Sequence, residues 1–162
     1  MAILSPATLL GCAALSVAAG TALRSVPAIE VDNAARGVTV RVALPNDGRF
    51  SVVAHHSMYD QPVTEEFDVD SERGIVLTAV SSPSAAVREY FGIYSAGERH
   101  PMERAMREIV FRVAAGTPQR LRVGAAEHSF LELGEHGDRL VMRPTRMSAL
   151  SGWLSTFRSA AP

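Results

Sequence analysis

The residues best placed to do chemistry lie on two neighbouring segments, Phe50 to His56 and Val63 to Val69. Phe50, Val52 and Ala54 alternate with polar neighbours, as on the buried face of a strand, and counting on by two arrives at His56. Val63, Phe67 and Val69 mark a second buried face, and the same count arrives at Glu65. If the two strands form a hairpin with His56 opposite Val63, Glu65 lies opposite Ala54. The two side chains then stand diagonally on one face, about 7–8 Å apart at the backbone. A carboxylate turned toward an apolar face is costly unless paired, and an imidazole supplies both a charge and a donor. An ionic or hydrogen-bonded His56–Glu65 pair is therefore expected. It can fix hairpin register, grip a ligand, or serve a metal or a reaction. Ser57, Tyr59 and Asp60, at the mouth of the hairpin, can complete a polar rim.

Other constellations are weaker. His55 and His56 project to opposite faces of one strand and cannot easily share a metal. His100, His128 and His136 lack the short helical spacing of a zinc-protease motif. Neither a Gly-x-Ser-x-Gly elbow nor a glycine-rich phosphate loop is present. No metal site and no cofactor are expected. Arg104, Arg107, Arg112, Arg120 and Arg122 form a basic stretch that can meet an anionic surface, or simply line a solvated strand face.

The elements that must position these groups are short strands. Val38, Val40 and Val42 alternate with Thr39 and Arg41, and Pro45-Asn46-Asp47-Gly48 reads as the turn into the strand ending at His56. The stretch Ser57 to Pro62 joins the hairpin. A further strand is predicted over Ile75 to Val80, then a short helix over Ala85 to Tyr90 capped by Ser84. The apolar residues from Met102 to Val113 fit both periods, and a helical turn near Met102 followed by a strand from Arg107 to Ala114 is predicted. Three more strands are predicted over Gln119 to Val123, Ser129 to Leu133 and Arg139 to Arg143. The fold expected is all-β and mainly antiparallel, a small β-sandwich or barrel with one short helix and a C-terminal amphipathic helix.

The chain has 162 residues, 47% of them hydrophobic, enough for one domain. With 16 Lys and Arg against 17 Asp and Glu it carries no electrostatic footprint for nucleic acid. Residues 1–23 contain no charged side chain and read as an export signal or a membrane anchor, which places the rest outside the cytoplasm, periplasmic or held on the outer surface of the membrane. Cys12, in Leu9-Leu10-Gly11-Cys12, stands in a lipobox-like context, although most of the apolar run follows it. As the only cysteine it excludes an intrachain disulfide. The predicted organisation is a connector over 24–36, a β domain over 37–145, and a tail over 146–162. In that tail Met147, Leu150, Trp153, Leu154 and Phe157 share a helical face, fit to dock on the sandwich, on a partner or on a membrane surface.

His56-Ser57, then Pro62-Val63-Thr64-Glu65-Glu66-Phe67, with Leu121-Arg122-Val123-Gly124 further on, resemble a small bacterial family known only as a domain of unknown function. Its members are exported or membrane-anchored and are often encoded beside TRAP-type solute transporters of the TAXI class. The family pattern is a strand ending in His-Ser, a short loop, then Pro-Val-x-Glu-x-aromatic. The resemblance covers Phe50 to Val123 and implies His56, Ser57, Pro62, Glu65 and Phe67 as site positions. It supplies a context and no reaction. The expected function is an exported, non-enzymatic accessory domain assisting TRAP-type uptake by binding a small organic anion or a transporter component. A structural or assembly domain of the cell envelope is the alternative, and a hydrolase using His56 and Glu65 a third.

Overall fold

The computed structural model describes residues 25–148. They form two antiparallel sheets with short helices between strands, the architecture of a β-sandwich. One sheet has four strands in the order β2-β1-β10-β7: β1 is Ser25–Asn33, β2 Val38–Ala43, β7 Ile109–Arg112 and β10 Arg139–Ser148. The other has six, β6-β5-β4-β3-β8-β9: β3 is Arg49–His56, β4 Gln61–Asp70, β5 Gly74–Ser81, β6 Arg99–Met106, β8 Arg120–Val123 and β9 Ala126–Ser129. Helix α1 spans Ala85–Tyr90 and α2 spans Phe130–Leu133.

The core lies between the sheets, where alternation delivers Ile29 and Val31, Phe50 and Val52, Leu121, Leu140 and Met142, all nearly free of solvent contact. Phe50 and Phe67, directly opposite on β3 and β4, stack with ring centroids 5.1 Å apart. The outward face of the larger sheet is laced with ion pairs. Arg99 makes two hydrogen bonds to Glu66 at 2.8 Å, and Arg122 meets Glu127 at 2.6 Å. Arg120 also reaches Glu127, so Arg120 and Arg122 of the basic stretch share one carboxylate on a solvated face, and Arg112 donates to the Gly137 carbonyl.

Several elements differ from expectation. Residues 25–33 are a central strand, although 24–36 reads as a connector. Ile29 and Val31 alternate with Glu30 and Asp32, and the outward Glu30 pairs with Arg41 across β1–β2. Residues Arg99–Met106 are strand and not a helical turn: Met102 and Met106, four apart, satisfy a period of two as well as a helix, and pairing with β5 decides. Ser129 ends β9, and its hydroxyl accepts from Leu131 N–H to cap α2, so Ser129–Leu133 is not a strand. β10 runs on to Ser148, which puts Met147 in a strand; the rest of the predicted tail helix lies outside the described residues. The short helix over Ala85–Tyr90 is as predicted, with the Ser84 hydroxyl accepting from Val87 N–H.

The turns are tight where a glycine is required. Gly74 has φ 86°, and a Cβ there would stand 2.6 Å from the Met106 carbonyl oxygen. Gly74→Ala is expected to destabilise the domain by about 1–3 kcal/mol, seen as a lower urea midpoint with an unchanged slope.

Candidate functional site

His56 closes β3, and the turn after it decides its surroundings. The His56 carbonyl accepts from both Tyr59 N–H (3.2 Å) and Asp60 N–H (2.8 Å), and Asp60 takes the left-handed φ of 46°. This four-residue closure brings Tyr59 back over His56, ring centroids 5.1 Å apart and 25° from parallel. It also sets the register: His56 faces Gln61, His55 faces Pro62 and Val52 faces Glu65. The hairpin is therefore shifted by two residues from a pairing of His56 with Val63. Because a shift of two preserves parity, His56 and Glu65 still belong to the same face, but they stand four positions apart, about 13 Å along the strand. The expected His56–Glu65 pair does not form.

Helix α1 supplies the rest of the surroundings. Val87, fully buried, fixes it on the core, and Arg88 Nη1 donates to the carbonyls of Ser82 and Pro83 at 3.0 Å each. The Ser82 hydroxyl donates to the Pro62 carbonyl at 2.7 Å, tying the start of β4 to the approach into the helix. So placed, Tyr90 meets His56 edge-on at 4.4 Å between centroids, and Phe91 does so at 6.5 Å. Tyr90 and Phe91 also contact each other at 5.6 Å. The imidazole is thus held among three aromatic rings. Its Nδ1 is buried and makes no hydrogen bond among the described residues. The cluster is open outward: Tyr59 is 39% exposed and Tyr90 62%, and Tyr94, four residues further along the chain, is 84% exposed. These are all three tyrosines of the chain.

Glu65 belongs to a different environment. On β4 it lies between Val52 of β3 and Val80 of β5, on the face shared with Val63 and Phe67. Burial pushes its carboxyl up to about 7, against an opposing pull from Arg104. It makes no hydrogen bond or ion pair among the described residues. A carboxyl in that position is largely neutral below about pH 6 and charged above about pH 8.

The other positions implied by the resemblance scatter. Phe67 is 1% exposed and belongs to the core; Pro62 contributes only its carbonyl; Ser57 is exposed in the turn. Asp60 turns to the outward His55, with Nδ1 3.2 Å from Oδ1. Comparison with known proteins finds no matching family model, no similar curated protein and no similar solved structure. Among the described residues, no three His, Cys, Asp or Glu side chains converge as metal ligands, and no helix is long and apolar enough to cross a membrane.

Tyr90 and Phe91 are the site residues absent from the sequence-based set. Their signal is compositional. In a chain only 6% aromatic, Tyr90-Phe91-Gly92-Ile93-Tyr94 begins at the last residue of a capped helix, but which strand end it meets depends on how α1 packs.

Proposed function

We propose that this chain is an exported binding domain without chemistry of its own, which assists TRAP-type solute uptake by docking a transporter component on the aromatic end around His56. The observation that carries the reading is the gathering of Tyr59 and Tyr90, both exposed, around one histidine, with Tyr94 just beyond α1. Exposed aromatic rings held rigidly by neighbours are the side chains that dominate protein interfaces, because they bury large area at small entropic cost. Ring faces open to solvent fit a protein surface better than a small organic anion, which needs an enclosing polar pocket. The connection with uptake comes from the resemblance alone.

The arrangement of ends favours the same reading. β1 starts at Ser25, β3 starts at the same end and finishes at His56, so the aromatic cluster lies about 23 Å from the point where residue 24 joins the sandwich. An anchor in residues 1–23 would therefore present the cluster away from the membrane. A hydrolase built on His56 and Glu65 is not favoured, since the two are not assembled.

Tyr59→Ser combined with Tyr90→Ser is expected to abolish complementation of solute uptake in a strain lacking the gene, while the exported domain keeps its strand-rich far-ultraviolet spectrum and its melting temperature within a few degrees. Full uptake by this folded, exported double variant would remove the docking role and leave a structural domain of the envelope. A thermal-shift screen of small carboxylates decides between partner and solute: a shift lost in the double variant would make the cluster a solute site instead.

A further inference from the structure

The smaller sheet ends on β2, whose far side pairs with no strand among the described residues. Of the edge strands it is the one left regular. β6 carries Pro101 with Arg99, Glu103 and Arg104, and β7 and β9 have only four residues each, features that discourage a foreign strand from adding on. β2 runs for six residues without proline or bulge, and Val38, Val40 and Val42 are β-branched. These valines lie opposite Asn33, Val31 and Ile29, all buried, so they belong to the core-facing side of the sheet. Yet Val38 is 38% exposed and the other two are only half-buried. The direction of the backbone groups follows from Leu44, whose N–H donates to the Pro27 carbonyl at 2.9 Å. Direct bonding alternates along an antiparallel ladder, so Val42, Val40 and Val38 direct their amides and carbonyls to β1, while Thr39, Arg41 and Ala43 turn theirs to the open edge.

We propose that this edge pairs with a second copy of the chain, β2 against the partner's β2, antiparallel about a two-fold axis at Val40, so that the two smaller sheets join into one. In this register Thr39 faces the partner's Arg41 and Arg41 the partner's Thr39. Each of these pairs exchanges two main-chain hydrogen bonds, because these are the residues whose groups point outward. Val40 meets the partner's Val40 and Val38 the partner's Val42, β-branched side chains directly opposite one another. Other centres fit worse. A two-fold at Arg41 sets two guanidinium groups face to face, and one at Thr39 needs Arg36 and Gly37, which lie in the β1–β2 turn. Charge selects the same register. On the outward face the Asp32 carboxylate accepts from Thr39 Oγ1 at 2.9 Å and has no ion pair among the described residues, while Arg41 is held by Glu30 at 2.8 Å. The pairing lays the partner's Arg41 beside Thr39, so that a row across the joined sheet runs from Asp32 through Thr39 to the partner's Arg41 and the partner's Glu30. Each arginine then lies between carboxylates of both subunits. The aromatic clusters stay uncovered, one at each end of the joined strands, so pairing and docking can be tested apart.

Sedimentation equilibrium on the purified full chain should show the mass of one chain at low concentration, rising to that of two as concentration increases. Val40→Lys, which sets two ammonium groups opposite one another, should weaken the association about tenfold or more with an unchanged far-ultraviolet spectrum. Cysteines read the register and do not depend on how that variant folds. In a Cys12→Ser background, Val40→Cys should form an intersubunit disulfide on mild oxidation, since directly opposed residues lie about 4.5–5.5 Å apart at Cα. Thr39→Cys should not, because its two copies stand about 8–9 Å apart. A single-chain mass at every concentration overturns the proposal and leaves the edge to a strand of another protein. A dimer that Val40→Lys leaves as tight as wild type overturns it too, because the contact then lies elsewhere. So does a disulfide that forms as readily at Thr39→Cys as at Val40→Cys.

Discussion

Replacing Glu65 with glutamine is expected to stabilise the folded domain by about 3 kcal/mol at pH 8 and to change it little at pH 4. The carboxyl ionises near 7 in the folded protein against 4.5 in the open chain, because it sits between Val52 and Val80 with no donor to hold its charge. Between those two values the unfolded chain has released its proton and the folded one has not. Unfolding therefore releases a proton, and stability falls as pH rises from about 4.5 to about 7, then levels. Glutamine, close in shape and always neutral, removes that loss. Urea titrations of wild type and variant from pH 4 to 8.5 test this. A variant less stable than wild type at pH 8 would mean that Glu65 has a cationic or donor partner, as a His56–Glu65 pair would have required.

The acid side of the profile has the opposite sign. Asp138 accepts from Asn33, from Glu135 N–H and from Arg36, which hold it at about 2. The support it gives is present above its ordinary range and is lost as pH falls towards 2. With Glu65 acting from the other side, stability should peak on the acid side of neutrality.

How far the sequence carries can be read at the hairpin itself. Alternation places Phe50, Val52, Ala54 and His56 on one side of β3 and Val63, Glu65 and Phe67 on one side of β4, and both sets are as expected, since side-chain direction follows from strand period alone. The partner across the ladder is not a property of period. It is set by the turn, where Asp60 adopts a left-handed φ and the His56 carbonyl takes two amides. That closure shifts the pairing by two, leaves every face intact and separates the two groups that looked coupled. The aromatic cluster was still less legible, because Tyr90 reaches His56 only through the burial of Val87 some thirty residues downstream of the hairpin turn, a packing outcome without local signature. β1 was hidden by Pro27 and by its outward acids, which are intelligible only once Arg41 is seen opposite.

Phe67 separates the reading by resemblance from the reading by packing, and Phe67→Ala is expected to cost about 3–5 kcal/mol. The ring is 1% exposed, stacks on Phe50 at 5.1 Å, and lies in the ladder between Phe50 and Leu77, so no surface near it can collapse into the space it leaves. A loss of that size is a large share of the 5–15 kcal/mol that hold a typical domain together. The variant should consequently melt many degrees lower, with an unchanged denaturant slope if two-state unfolding survives. Phe67→Leu, which keeps most of the apolar volume, should lose markedly less. If Phe67 were instead a ligand-contacting residue, alanine would impair function while leaving the melt near wild type. Equal melts for Phe67→Ala and wild type would thus displace the core assignment, and any uptake defect in a destabilised Phe67 variant reports the amount of folded protein rather than a contact with a partner.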